Sequence, residues 1–185
     1  MRPASAIGVA WIVWVLSWFA ASFWTNRTVK RLPLRDEFVP RLLIPVGAIL
    51  IAVGADYETT LTGPAGWAAF AVLIAGLAFA WWGRLYLGRL WSARITRAEG
   101  HRVVMAGPYA WVRHPIYTGV IAAIIATALV QWRVPAMLGA FLIAISFWLR
   151  ARLEERFLRE ELGCEAYDAY AQRVPMLIPF WPRTG

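Results

Sequence analysis

The side chains able to do chemistry are gathered in two stretches of the chain. The first is GHRVVMAGPYAWVRHPIYTG, Gly100 to Gly119, and the second is RARLEERFLREELGCEAYDAYAQRVPMLIP, Arg150 to Pro179. In the first, Gly107-Pro108 reads as a turn, and His114-Pro115 reads as a helix start with Pro at the first position. Arg113, His114 and Tyr117 then stand at the mouth of that helix. Free backbone N–H groups and the positive end of the helix dipole favour anions there. Arg113 adds a planar fork suited to a carboxylate or a phosphate. A plainer reading explains the same residues: Arg and Tyr anchor the interface, and Pro starts the helix.

In the second stretch, Leu149, Leu153, Phe157 and Leu162 recur at helical spacing. That pattern predicts an amphipathic helix ending at Gly163. Glu154 and Glu155 fall on its first exposed turn. Arg150 lies four residues before Glu154 and Arg159 four after Glu155, so intrahelical pairing accounts for both carboxylates equally well. The same holds for Glu160 and Glu161, with Arg156 and Arg159 as neighbours.

Spacing joins the two stretches into one candidate site. A very short turn centred on Trp132 separates two apolar segments and makes them an antiparallel hairpin. Arg113 precedes Trp132 by 19 residues and Glu154 follows it by 22. The mismatch is about 4.5 Å along an ideal helix. Arg113 and His114 therefore face the level of Glu154 and Glu155 across the hairpin mouth. A zwitterion, carrying a carboxylate and a cation, suits such a mouth.

Other signals are weak. His101 and His114 are the two histidines, and no Cys or Asp completes a metal set around them, so no metal is expected. Cys164 is isolated and is read as non-catalytic. No GxGxxG or Walker pattern supports a soluble nucleotide-binding domain. Asp56 and Glu58 are read as solvating an external loop.

The elements that must position these residues follow from composition. Of 185 residues, 60% are hydrophobic and 16% charged, with a mean hydropathy of +0.53 and twelve Trp. A soluble core of this size cannot hide so much apolar surface. Five apolar stretches are legible: Ile7–Phe23, Val39–Ala55, Trp67–Trp82, Ile116–Val130 and Pro135–Leu149. The last two are short for a bilayer core, and Trp132 and Trp148 suit its interfaces. The expected fold is an all-α membrane bundle of about five spans, the fifth continuing as a cytoplasmic helical tail. The whole chain, 1–185, is read as one domain.

Seventeen of the nineteen Arg and Lys residues fall on one side of this arrangement, against Arg2 and Arg133 on the other. Positive charge stays cytoplasmic, which puts the N-terminus outside and the C-terminus inside the cytoplasmic (inner) membrane. Nine acidic residues share that face, so it carries the entire net charge of +8 and should lie against anionic headgroups. Nucleic acid is not an expected partner, because no compact basic module stands clear of the spans. The first span has no evident A-x-A site and little basic flank beyond Arg2, and is read as a true span.

With these residues in place, the sequence resembles the integral-membrane isoprenylcysteine carboxyl methyltransferase family and, more distantly, phospholipid N-methyltransferases. The family pattern is an RHPxY element, a hydrophobic hairpin and a paired EE. Arg113-His114-Pro115 with Tyr117 matches the first element, and Glu154-Glu155 matches the last. Gly163, Tyr167, Tyr170, Arg173, Val174 and Pro175 match the usual tail. The resemblance covers Gly100 to about Pro179, nearly half of the chain.

It implies S-adenosylmethionine as cofactor, held on the cytoplasmic side by residues 100–179. By resemblance, Tyr109 to Tyr117 wrap the cofactor, and Glu154 and Glu155 contact its polar groups. Arg113 and His114 line the same pocket, with Tyr167 and Arg173 in support. Arg113, His114 and Tyr117 are the candidate catalytic residues. The implied acceptor is lipophilic or small, with an isoprenylcysteine-type carboxylate favoured over an amine or a thiol. A non-enzymatic membrane subunit of the same fold is the alternative. A transporter is disfavoured because no ionisable residue lies near the middle of a span.

Overall fold

The computed structural model describes residues 2–26, 28–53, 61–98, 104–162 and 164–180. His101, Asp56, Glu58 and Gly163 lie outside them. The chain is mostly helical: α1 Pro3–Ser22, α2 Phe38–Val53, α3 Gly63–Leu87, α4 Pro115–Gln131, α5 Val134–Leu162 and α6 Cys164–Ala171. Two short strands, β1 Thr28–Arg31 and β2 Thr96–Ala98, pair antiparallel and depart from the all-α expectation. The helices α1, α3 and α5 are long and apolar enough to cross a membrane. The apolar helices α2 and α4, at 16 and 17 residues, fall short of that length.

The short helices lie against long ones, α4 along α3 and α2 along α5. Glycine makes both approaches possible. A Cβ on Gly119 would overlap the carbonyl of Gly76, and a Cβ on Gly76 would overlap that of Gly119. Gly47 and Gly139 stand in the same relation between α2 and α5. Small residues let helix backbones approach closely where lipid gives no hydrophobic drive to associate. Leu73, Leu77 and Ala123 fill the space beside the first contact.

Tryptophan ties α1 to this pair. Trp14 stacks on Trp18 at 4.6 Å, and Trp18 meets Trp81 and Trp91 edge-on at 5.4 and 5.5 Å. Three indole N–H groups here find acceptors, as a low-dielectric setting favours. Trp11 donates to Thr127 Oγ1 at 3.0 Å, Trp14 to the Leu77 carbonyl at 3.3 Å, and Trp81 to Ser17 Oγ at 3.2 Å.

One charge assignment changes. Arg84 was expected to follow the third span as a topology-setting loop cation. Instead α3 runs on to Leu87, and Arg84 is buried in its last turn at 0% exposure. Its Nη1 donates to the Gly88 carbonyl, and its Nη2 to those of Ala21 and Trp24. The guanidinium also lies 4.5 Å from the Trp91 ring and 5.6 Å from Trp24. It thus sits at the carboxyl ends of α1 and α3, where helix dipoles favour a cation.

Candidate functional site

The hairpin that carries the site is closed by Trp132, which takes a left-handed conformation (φ 50°) between α4 and α5. Gly107 opens a 3-10 turn with φ +59°, and Tyr86 lies where its side chain would be. His114 then precedes α4, with Pro115 as its first residue. On the other side, α5 continues unbroken through Glu154 and Glu155 to Leu162. The two carboxylates thereby face the entrance of α4.

The cluster is dense. Arg113 grips Glu155 with both arms of its fork, Nε to Oε1 at 2.7 Å and Nη2 to Oε2 at 3.1 Å. Nε2 of His114 lies 3.1 Å from the same Oε1. Tyr117 donates to Glu154 Oε2 at 2.8 Å and stacks on His114 at 5.3 Å. Arg113, His114, Tyr117, Glu154 and Glu155 therefore form one unit.

Arg113 does receive a carboxylate, but that carboxylate belongs to the protein itself. The pairing leaves Glu155 only 6% exposed, whereas the Glu154 side chain is 31% exposed. Glu155 is an internal tie, and Glu154 is the carboxylate that can meet a ligand. Intrahelical pairing does not account for Glu155. Arg159 turns instead to Asp168 of α6 at 2.7 Å, and Glu161 pairs with Lys30 of β1.

The remaining valences of the α4 entrance hold the C-terminal segment as a strap. The backbone N–H of Arg113 donates to the Pro175 carbonyl at 2.9 Å, and that of His114 to Met176 at 3.1 Å. Thr118 Oγ1 donates to the Leu177 carbonyl at 2.6 Å. Arg113 Nη1 reaches the carbonyls of Ala171 and Val174 at 2.8 and 2.6 Å. The backbone N–H groups of Arg113 and His114, just before α4, are thus taken by the strap.

Tyr109, Tyr167 and Tyr170 seat the strap. Tyr170 donates to the Tyr109 carbonyl at 2.7 Å, and Tyr167 lies edge-on to Tyr170 beneath the Arg159 guanidinium. Burial raises the pKa of all three phenols, and nearby Glu154 and Glu155 push Tyr167 in the same direction. They stay protonated at neutral pH, and Tyr170 is a donor rather than a base. Arg173 is exposed, just beyond α6, and donates back to the Ala169 carbonyl of that helix at 3.0 Å.

Two polar groups of this region have tertiary partners that sequence reasoning missed. Arg150 does not serve Glu154 directly through the contacts it makes: its Nε donates to Tyr117 Oη at 3.1 Å and its Nη2 to the Ala93 carbonyl at 2.5 Å. Glu37, 1% exposed, accepts from Arg41 at 3.1 Å and lies 3.7 Å from Arg94. Glu37 and Arg41 stand four residues apart, but the contacts of Arg150 with Tyr117 and Ala93 and of Glu37 with Arg94 are tertiary, and local spacing does not report them.

The family model for the isoprenylcysteine carboxyl methyltransferase (ICMT) family matches residues 68–160, half of the chain. The chain belongs to this family. The matched residues take in most of α3, the 3-10 turn, α4 and nearly all of α5, and so hold Tyr109, Arg113, His114, Tyr117, Glu154 and Glu155. Tyr167 and the strap lie beyond them.

Protein-S-isoprenylcysteine O-methyltransferase B of Arabidopsis thaliana is 34% identical over 89 residues, 47% of this chain and 44% of that protein. Methanethiol S-methyltransferase 1 of Bradyrhizobium diazoefficiens is 41% identical over 81 residues, 41% of this chain and 25% of that protein. Protein-S-isoprenylcysteine O-methyltransferase of Xenopus laevis is 30% identical over 84 residues, 45% and 29% respectively. The chain thus spans less than half the length of each of these ICMT-family relatives and of the thiol methyltransferase. The relatives are named methyltransferases, which supports an enzyme of that class here.

Proposed function

We propose that this ICMT-family chain is an S-adenosylmethionine-dependent methyltransferase whose acceptor is lipophilic or small and reaches the site from the membrane. An isoprenylcysteine-type carboxylate is the favoured acceptor. The observation that carries the reading is Glu154: a partly exposed carboxylate fixed by Tyr117 among aromatic rings, beside a saturated Arg113–Glu155 pair. The donor set fits the cofactor, because a carboxylate and aromatic faces both favour a ligand bearing ammonium and sulfonium charge. Glu154 and Tyr117 would hold its polar groups. His114, Tyr109 and Tyr167 would line the same pocket.

When bound, S-adenosylmethionine supplies a methyl group already activated on sulfur. The chain's residues have only to orient the reactants and exclude water. Tyr117 keeps Glu154 in one rotamer. Arg113 and Glu155 hold α4, α5 and the strap in register, so the pocket wall is built before ligand arrives. A carboxylate acceptor needs no base. A thiol acceptor must lose its proton as the methyl is transferred. A small thiol is the second reading, favoured by the 41% identity to the methanethiol enzyme.

The membrane arrangement belongs to the same proposal. Five crossings place α2 and α4 as short spans leaning on α5 and α3, with the N-terminus outside and the site on the cytoplasmic face. The seventeen-to-two division of Arg and Lys supports that sidedness.

Calorimetry with the purified chain in lipid tests the cofactor assignment. S-adenosylmethionine should bind the wild type, and Glu154→Gln should weaken binding by about tenfold to a hundredfold, the scale of a lost charge-assisted hydrogen bond. Equal binding by wild type and variant would remove Glu154 from the site.

A further inference from the structure

We propose that Arg150 is a positioning residue for methyl transfer: anchored on the Ala93 carbonyl, it fixes the Tyr117 hydroxyl and, through it, the Glu154 carboxylate. The inference rests on the function proposed above. The argument starts from the hydroxyl. A phenol has one proton to give and lone pairs to receive. Arg150 cannot accept a hydrogen bond, so its Nε at 3.1 Å must occupy a lone pair of Tyr117 Oη. The single proton of Tyr117 is then directed to Glu154 Oε2 at 2.8 Å. Arg150 thereby sets the polarity of the whole contact.

The second arm explains why the arrangement is stiff. Nη2 of Arg150 donates to the carbonyl of Ala93, in the segment that leads to β2. The next residue, Arg94, donates to the Leu32 carbonyl at 3.0 Å and lies against buried Glu37. Glu37 in turn holds Arg41 at the start of α2. The anchor point is therefore braced by the N-terminal third of the chain. On the far side, the Tyr117 ring packs on Phe147 at 5.0 Å, which leaves its hydroxyl little freedom to follow another partner. The path from Ala93 to Glu154 is continuous, each step a hydrogen bond of 2.5 to 3.1 Å.

The test is a double-mutant cycle with Arg150→Met and Tyr117→Phe, read in steady-state methyl transfer and in thermal unfolding. Arg150→Met should raise KM for S-adenosylmethionine by roughly tenfold, the scale of one charged hydrogen bond. In the Tyr117→Phe background the same substitution should change KM by less than about twofold, because the group it acts on is gone. Arg150→Lys, which keeps one donor, should recover part of the loss. Equal effects of Arg150→Met in both backgrounds would overturn the proposal, as would an effect that tracks thermal stability alone.

Hydrogen exchange without any cofactor separates this inference from the function on which it rests. Arg150→Met should speed exchange both in residues 91–95 and in the first turn of α4. Unchanged exchange in both segments would sink the anchoring role even if the wild type transfers methyl. If the wild type neither binds cofactor nor transfers methyl, the functional reading fails, and the exchange result still decides the anchor.

Discussion

Replacing Arg113 by methionine is expected to free the C-terminal strap, destabilise the protein by about 3–5 kcal/mol and abolish cofactor binding. The size follows from what the guanidinium holds. Its removal leaves Glu155 6% exposed and without its fork, and breaking a buried pair from one side typically costs about that much. The carbonyls of Ala171 and Val174 lose their donor in the same step. Arg113→Lys keeps the charge but not the planar fork, so it should recover only part of the loss. Limited proteolysis of the segment after Ala171, together with thermal unfolding in lipid, measures both effects. A variant whose tail is cut no faster than in the wild type would show that the strap is held by something other than Arg113.

The second large effect is expected far from the chemistry, at Arg84. Arg84→Met deletes the donor shared by the Gly88, Ala21 and Trp24 carbonyls, all at the carboxyl ends of α1 and α3. Unmet buried acceptors cost about 1–3 kcal/mol each, partly offset because a buried cation is removed with them. A net loss of roughly 3 kcal/mol should lower the melting temperature by about 6–12 °C in a chain of this size. Methyl-donor affinity measured below the transition should stay within about threefold of wild type, since Arg84 contacts none of the site residues through its hydrogen bonds. An unchanged melting temperature would mean that water or lipid headgroups satisfy these carbonyls.

How much of this was legible in the sequence differs by element. The level of Arg113 and His114 against Glu154 and Glu155 could be read because a helical hairpin with a two-residue turn fixes register by counting. The starts of α4 and of the 3-10 turn were legible through Pro115 and Gly107, whose backbone preferences are local. The partners within the cluster were not. Arg113 could have served a ligand or Glu155, and Glu155 could have paired with Arg159; only the packing of α6, which takes Arg159 through Asp168, decides the matter. The strap was invisible for a different reason. It is held through backbone carbonyls at Ala171, Val174, Pro175, Met176 and Leu177, and any side chain there would leave the same acceptors.

Arg84 and Glu37 show the limit of reading charge as topology. Local spacing marked neither for burial, and charged residues seldom lie buried. Both are instead enclosed where helix ends and connecting segments meet, Arg84 between two tryptophans and Glu37 between two arginines. The approach of α3 to α4 at Gly76 and Gly119, and of α2 to α5 at Gly47 and Gly139, was hidden too. Such distant glycine pairs leave no periodic signature in a single chain. The hydrophobic stretches and the α4–α5 hairpin were visible, but the pairing of α3 with α4 and of α2 with α5 was not.

The central claim is methyl transfer at the α4–α5 mouth, and one measurement tests it most directly. The purified chain in lipid is incubated with S-adenosylmethionine labelled in its methyl group, and a prenylcysteine analogue and a small thiol are supplied in separate reactions. The account predicts label in the prenylcysteine analogue, base-labile as an ester is, and its loss with Glu154→Gln. Label in the thiol instead would retain the enzyme and change the acceptor. Absence of label in both acceptors, with wild-type protein shown to be folded and to bind the donor, would contradict the account.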